Sequence, residues 1–180
     1  AVLDIATNPS EPTLMAQTGL DGGYIHDLYV RDHIVYANSA SGGLYVYDFS
    51  DPDNVEVLGT MTDYEEQGYN HSGWLSDDGN TLVMLDETHG TGVKLVDVSN
   101  NSDISVDAIF RSTLLAPAFT NSVGHNPYVR GDYAFISYYH DGVQVFDISD
   151  ADNVENVAYY DTDENHDDYE SYTGNWGIYP

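Results

Sequence analysis

Three histidines and two acidic residues are the side chains in this sequence that are best suited to bind a metal ion. His26, His71 and His125 each stand at the start of a short segment with the composition of a β-strand. Asp86 and Glu87 directly follow another such segment. Imidazole and carboxylate groups are typical ligands of divalent transition metals, so their convergence would create a metal site. Since neighbouring residues of a strand point to opposite faces, at most one of the two acids would join the histidines.

The same histidines also have a structural interpretation. An imidazole at the start of a strand can hydrogen-bond the backbone of a neighbouring unit and so hold the end of that strand. Repeated units preserve such structural roles as readily as they preserve ligand sets. The sequence therefore leaves two hypotheses open for these residues: ligands of a divalent metal ion, or caps of their strands.

A second group of candidate ligands lies in the most acidic stretch of the chain, residues 161–170. Side-chain oxygens recur there at alternate positions, as at the start of a calcium-binding loop: Asp161, Asp163, Asn165 and Asp167. An EF-hand is excluded, because its sixth and twelfth positions hold His166 and Tyr172 rather than Gly and Glu. An irregular calcium loop and a solvated acidic loop remain as the two interpretations.

The elements that must position these groups come from an internal repeat. Four apolar segments end in similar ways: Val2-Leu3-Asp4-Ile5-Ala6, Val46-Tyr47-Asp48-Phe49-Ser50, Val96-Asp97-Val98-Ser99 and Val145-Phe146-Asp147-Ile148-Ser149. Their aspartates are 44, 49 and 50 residues apart, close to the length of a four-stranded propeller blade. Helix patterns are nearly absent. The repeat therefore predicts an all-β protein of the β-propeller class.

The repeat divides the chain into whole and partial blades. Full blades are expected at about 26–62, 71–112 and 125–162, after a partial blade at 1–20 and before the inner strand of another at 174–180. A propeller has four to eight blades, so we expect the chain to be part of a larger propeller or to be completed by other copies. Inner strands line the central channel of a propeller. A residue that opens an inner strand therefore lies near the axis, which brings the three histidines within reach of one another.

Several motifs occur in an order that resembles one known family. They are Tyr69-Asn70-His71-Ser72-Gly73-Trp74, Asp86-Glu87, His125-Asn126, Tyr128-Val129 and Gly174-Asn175-Trp176-Gly177-Ile178-Tyr179-Pro180. This order is similar to that of the choice-of-anchor B proteins, which carry LVIVD-type β-propeller repeats, and it covers roughly residues 20 to 180. The resemblance implies a secreted bacterial or archaeal surface protein, usually tethered by a variable C-terminal anchor, and it implies no biochemical activity. The sequence contains neither a signal peptide nor an anchor pattern, a departure that a fragment of a longer protein would explain.

The composition of the chain restricts its partners. The sequence has 31 Asp and Glu residues against 4 Lys and Arg, a formal net charge of -27. Such a chain repels nucleic acids and anionic membranes, attracts cations and stays soluble in salt. Cysteine is absent, which excludes a disulfide framework, thiolate zinc sites and thiol catalysis. No apolar run approaches the roughly 20 residues of a membrane span, so no membrane insertion is expected within this segment.

These observations favour an extracellular or cell-surface β-propeller that acts as a binding or structural module. Its cofactor is either a divalent metal ion, calcium or a transition metal, or none. Its expected partner is another protein or further copies of itself, because open sheet edges can pair with neighbouring chains. The alternative is a metal-dependent propeller hydrolase such as a lactonase, in which the three histidines and Glu87 hold an ion that activates water. The sequence contains no phosphate loop, nucleophile elbow or dinucleotide fingerprint.

Overall fold

The computed structural model describes residues 1–112, 122–162 and 171–180. Within those residues the regular elements are fourteen β-strands and one 3-10 helix, at Ala151–Asn153. β1 (Val2–Asp4) and β2 (Thr13–Ala16) form a two-stranded sheet. The other strands form three sheets of four: β3 (Asp27–Arg31), β4 (Ile34–Asn38), β5 (Leu44–Asp48) and β6 (Glu56–Met61); β7 (Asn70–Leu75), β8 (Thr81–Asp86), β9 (Val93–Asp97) and β10 (Ser105–Phe110); β11 (Gly124–Arg130), β12 (Tyr133–Tyr138), β13 (Gly142–Asp147) and β14 (Glu155–Tyr160).

Each four-stranded sheet is an antiparallel meander whose strands follow chain order. The all-β class expected from the sequence is thereby confirmed. Two-residue hairpins join the first and second strands of the first and third sheets. Between β3 and β4 the chain turns on Asp32 and His33, whose φ angles are 52° and 69°. A two-residue hairpin whose turn follows the twist of its two strands has positive φ at both central residues. Asp and His tolerate this conformation better than most residues do.

The repeated aspartates end the third strand of each sheet. Each carboxylate accepts a hydrogen bond from the backbone N–H two residues ahead: Ser50 to Asp48 (2.7 Å), Ser99 to Asp97 (2.8 Å) and Ser149 to Asp147 (3.0 Å). The hydroxyl of the same serine, which is the larger cause for Asp97 and Asp147, and this backbone bond, which is the larger cause for Asp48, hold the pKa of each carboxyl below its usual value. The Asp-x-Ser repeat therefore turns the chain out of the strand and has a structural role.

The apolar core lies between neighbouring sheets. In β8 alternate residues serve two interfaces: Leu82 and Met84 pack toward the first sheet, and Val83 and Leu85 pack toward the third. All four are buried, because the second sheet is covered on both faces. A strand that is buried on both faces has apolar residues at consecutive positions. β8 has such a run between Thr81 and Asp86.

The first strands of the three sheets lie side by side, β3 against β7 and β7 against β11. Their N-terminal ends therefore meet, together with the ends of the antiparallel second strands. Residues 174–180, predicted as an inner strand, form no strand among the described residues. The N–H of Asn175 nevertheless donates to the carbonyl oxygen of Tyr139 at 2.7 Å, which holds this segment beside the third sheet.

No helix in the described part of the chain has the length and apolar character needed to cross a membrane.

Candidate metal centre

Two of the candidate histidines lie on β-bulges at the starts of their strands. In β7, Asn70 pairs with Asp86 but Ser72 pairs with Leu85, so His71 is an extra residue without a cross-strand partner. The same shift in β11 leaves His125 unpaired. A bulge bends its strand and changes the direction of the extra side chain, and bulges are common beside functional sites. In both strands, therefore, a β-bulge sets the direction of the imidazole.

The two bulged histidines converge on Glu87, which directly follows β8. The Nε2 atom of His71 lies 3.8 Å from one carboxylate oxygen of Glu87, and the Nε2 atom of His125 lies 3.8 Å from the other. The candidate ligand atoms of the three residues all lie within 4.8 Å of one another. His71 is 5% exposed and His125 is 8% exposed. We call His71, Glu87 and His125 the His-Glu group; no other set of three such residues occurs in the described ranges.

His26 borders the His-Glu group and is not part of it. Its ring lies 4.3 Å from the His71 ring, centroid to centroid, and is exposed to solvent. β3 has no bulge, and His26 precedes the strand, with its N–H donating to the carbonyl oxygen of Asn38 at 2.8 Å. The three histidines therefore stack in a row, His26 on His71 and His71 on His125, but only the last two face Glu87.

Asp86 points away from the histidines, to the opposite face of the strand end. Its carboxylate accepts hydrogen bonds from the Lys94 ammonium at 2.6 Å and the Tyr64 hydroxyl at 2.7 Å. Lys94 also donates to the carbonyl oxygen of Glu66 at 2.8 Å. Asp86 and Lys94 form a fully buried ion pair. We therefore leave Asp86, a candidate ligand in the sequence, out of the metal site, since its oxygens are already satisfied elsewhere.

The tautomer of His125 follows from its contact with the end of the chain. Its Nδ1 atom lies 2.5 Å from the carbonyl oxygen of Trp176, which can only accept a hydrogen bond. Nδ1 therefore carries a proton, and in the neutral imidazole the lone pair lies on Nε2, the atom that faces Glu87. The Asn126 amide donates to the same carbonyl at 2.9 Å. A ligating histidine typically donates its second N–H to a backbone carbonyl in this way.

Tyr139 orients the carboxylate of Glu87. Its hydroxyl donates a hydrogen bond to Oε1 of Glu87, and burial together with this bond raises the pKa of Tyr139. Its ring also contacts the His125 ring, with centroids 4.8 Å apart. Tyr139 follows β12 as Glu87 follows β8, so the two residues occupy the same position in neighbouring sheets. In the sequence, Tyr139 could have been found by aligning the repeats, because it occupies the position in its repeat that Glu87 occupies in the preceding one.

Burial favours the neutral form of His71. Burial, and then the nearby His125 imidazole, lower the pKa of His71 to about 4, although the Glu87 carboxylate acts in the opposite direction. Its Nδ1 atom is buried without a hydrogen-bond partner. A neutral imidazole has a lone pair available for a metal ion, whereas a protonated one does not.

In the metal-free protein we expect His71 to titrate near pH 4 instead of 6.5. The unfolded chain then binds this proton at a higher pH than the folded chain. The free energy of unfolding should therefore decrease as the pH falls from about 6.5 to about 4, with no contribution from His71 above that window. An NMR titration of the imidazole resonances measures this pKa. The variant His125→Ala should raise it toward the usual value, and an ordinary pKa in the unsubstituted protein would contradict the expectation.

Of the four candidate ligands in the predicted calcium loop, the structure describes Asp161. Asp161 follows β14 and is partly buried. Asp163, Asn165 and Asp167 lie outside the described residues. The loop therefore stays a prediction.

Comparisons of the chain with protein-family models and with curated proteins find no match in either. The function of this chain must therefore be inferred from the His-Glu group and from the fold that positions it.

Proposed function

We propose that this chain is a segment of an extracellular β-propeller of the LVIVD-repeat type, a binding and structural module that holds one divalent transition metal ion at His71, Glu87 and His125. The observation that carries the metal site is the convergence of two Nε2 atoms on one carboxylate, each 3.8 Å away. The hydrogen bond from Nδ1 of His125 to the Trp176 carbonyl supports it, because in the neutral imidazole this bond places the lone pair on Nε2.

The arrangement of the sheets supports the propeller. Three four-stranded meanders follow one another, their first strands are neighbours, and the middle sheet is buried on both faces. Consecutive blades around an axis have this relation. The choice-of-anchor B resemblance and the net charge of -27 support an extracellular or cell-surface location.

Zinc is the ion we propose, since two imidazoles and one carboxylate form a common zinc ligand set; ferrous iron is the other metal that such a set takes. Zinc bonds of 2.0–2.1 Å in a tetrahedral site place ligand atoms about 3.3 Å apart. The ligand atoms here lie within 4.8 Å of one another, so small side-chain rotations would bring them to this spacing. The ion would connect β7, β8 and β11, and so join the second sheet to the third.

The first test is a zinc titration by calorimetry, with the metal-stripped protein. We expect one tight zinc site per chain, and we expect His125→Ala to abolish it because the imidazole supplies one of three ligands. The control is His33→Asn, which removes an imidazole from an exposed turn while keeping a residue that tolerates positive φ. Equal zinc binding by all three proteins would show that the His-Glu group holds no metal.

A hydrolase is the second candidate function, and one observation favours it. The His-Glu group provides three protein ligands, which leaves at least one position of a four-coordinate zinc open to water. A zinc-bound water is acidic enough to act as a nucleophile near neutral pH. Hydrolysis of uncharged esters and lactones by the zinc-loaded protein, lost in Glu87→Gln, would support an enzyme. If the protein binds zinc but hydrolyses none of these esters and lactones, the structural module is the function that remains.

A further inference from the structure

Residues 174–180, which we call the Trp176 segment, continue two rows of rings that cross the first strands of the sheets. The Trp176 ring lies 5.4 Å from the His125 ring, and the Tyr179 ring lies 5.2 Å from the Tyr128 ring, centroid to centroid. The two rings of each pair stand three residues apart in the sequence: His71 and Trp74, His125 and Tyr128, Trp176 and Tyr179. Trp176 thus takes the place next to His125 in the row of histidines, although the segment forms no strand among the described residues.

Few contacts hold the Trp176 segment on the third sheet. The backbone N–H of Asn175 donates to the carbonyl oxygen of Tyr139 at 2.7 Å, and its side-chain amide donates to the carbonyl oxygen of Gly142 at 3.1 Å. The side chain of Trp176 remains 59% exposed. A segment with few buried contacts opens at a lower free energy than the strands of the core. Docked and released forms of this segment are therefore close in free energy.

Gly174 lets the Trp176 segment approach the third sheet. Its φ is 110°, in the region that favours glycine, and a methyl group on its Cα would overlap the carbonyl oxygen of Tyr139, the acceptor of the Asn175 N–H. Gly177, in the same segment, has open space around its Cα and no positive φ. The docked position therefore requires glycine at 174 and tolerates alanine at 177.

The docked segment acts on the His-Glu group through one backbone oxygen. The Trp176 carbonyl accepts a hydrogen bond from Nδ1 of His125 at 2.5 Å, and Nε2 of the same ring faces Glu87 at 3.8 Å. With the proton on Nδ1, the neutral imidazole has its lone pair on Nε2, where a metal ion can take it. Release of the segment removes this acceptor. The neutral ring then takes both tautomers, and the one with its proton on Nε2 cannot bind the ion through that atom.

We propose that Gly174 and Asn175 are positioning residues for zinc, because they hold the Trp176 carbonyl against Nδ1 of His125. Zinc binding and docking of the Trp176 segment then stabilise each other. This inference rests on the proposed zinc site at the His-Glu group. Coupling between two equilibria is reciprocal, so docking tightens zinc binding by the same factor by which zinc favours docking. A group that holds a metal ligand in this way typically changes metal affinity by about 10–100-fold.

Zinc affinities of matched variants test the coupling, by competition with a chromophoric chelator. Gly174→Ala should bind zinc about 10–100-fold more weakly than the unsubstituted protein, because the added methyl group displaces the Trp176 segment. Gly177→Ala makes the same chemical change without an overlap and should bind zinc normally. Asn175→Ala removes one hydrogen bond and adds no atoms, so its loss should be smaller. Circular dichroism should be the same for all four proteins, since the segment contributes no strand.

Two spectroscopic measurements distinguish a positioning role from a merely structural one. In the metal-free protein, NMR of the imidazole nitrogens should place the proton on Nδ1 of His125 in the unsubstituted protein and in Gly177→Ala. Gly174→Ala should show a mixture of the two tautomers. In the unsubstituted protein, saturating zinc should slow hydrogen exchange of the Asn175 amide by about 10–100-fold, as reciprocity requires.

The outcomes separate this inference from the zinc site on which it rests. Tight zinc binding in the unsubstituted protein with equal affinity in Gly174→Ala and Gly177→Ala would overturn the coupling and leave the His-Glu group as a metal site. An unchanged tautomer in Gly174→Ala, or exchange of the Asn175 amide that zinc does not slow, would also overturn the coupling alone. Absence of zinc binding in the unsubstituted protein would overturn the metal site, and the coupling with it.

Discussion

Replacing Lys94 with methionine is expected to lower the free energy of unfolding by about 3–5 kcal/mol, the usual effect of removing one partner of a buried ion pair. Lys94 and Asp86 are both fully buried, with 2.6 Å between ammonium and carboxylate. Without the ammonium, Asp86 keeps only the Tyr64 hydroxyl, and the carbonyl oxygen of Glu66 loses its donor. Methionine preserves the length of the side chain, so the loss reflects charge and hydrogen bonding more than a cavity.

Urea denaturation followed by circular dichroism measures this change. The matched control is Arg130→Met, which removes a cation from an exposed strand end and should change the free energy of unfolding by less than about 0.5 kcal/mol. The double variant Asp86→Leu with Lys94→Met should recover a large part of the lost stability, because it leaves no unpaired charge. A loss below about 1 kcal/mol in Lys94→Met would contradict the importance of this pair.

Replacing Glu87 with glutamine is expected to weaken zinc binding by more than about 100-fold, since even residues outside the ligand set typically change metal affinity by 10–100-fold. Glutamine has nearly the same shape, but its amide lacks the negative charge and presents one oxygen instead of two. Both Nε2 atoms face this carboxylate at 3.8 Å, so Glu87 is the residue that the two imidazoles share.

A graded comparison tests the same geometry. Tyr139→Phe removes only the hydroxyl that donates to Glu87, so zinc affinity should fall by about 10–100-fold, less than in Glu87→Gln. Affinities are measured by competition with a chromophoric chelator, with circular dichroism to establish folding. Zinc binding in Glu87→Gln as tight as in the unsubstituted protein would remove Glu87 from the site. An equal loss of zinc affinity in both variants would contradict this indirect role and indicate that Tyr139 is itself a ligand.

Most of what could be predicted about the fold came from the internal repeat in the sequence. Most strands of the three sheets are rich in β-branched, aromatic and other apolar residues and lie between turn residues, which is a local signal. The Asp-x-Ser strand ends recur for an equally local reason, a hydrogen bond between residues two apart. Residues 174–180 resembled an inner strand in composition. Strand formation needs a partner strand, and the described residues provide none there.

The candidate site depended on contacts that are distant in sequence. Strand alternation predicted that at most one of Asp86 and Glu87 would face the histidines. Glu87 is the acid that faces the histidines, because Asp86 hydrogen-bonds Lys94 on the other face of the strand end. Trp176 contacts His125 from 51 residues away, and its carbonyl determines the tautomer. No spacing rule connects residues that meet only when the last segment lies against the third sheet.

The all-β class, the repeated sheets and the position of a histidine near the start of each first strand are evident from the sequence, because they depend on local composition and on period-2 alternation. Which histidines converge depends on the tertiary fold. His71 and His125 face Glu87 because each is the extra residue of a β-bulge, while His26 precedes an unbulged strand and remains at the edge. A bulge is a property of the pairing between two strands, so its position becomes defined only when both strands are in register.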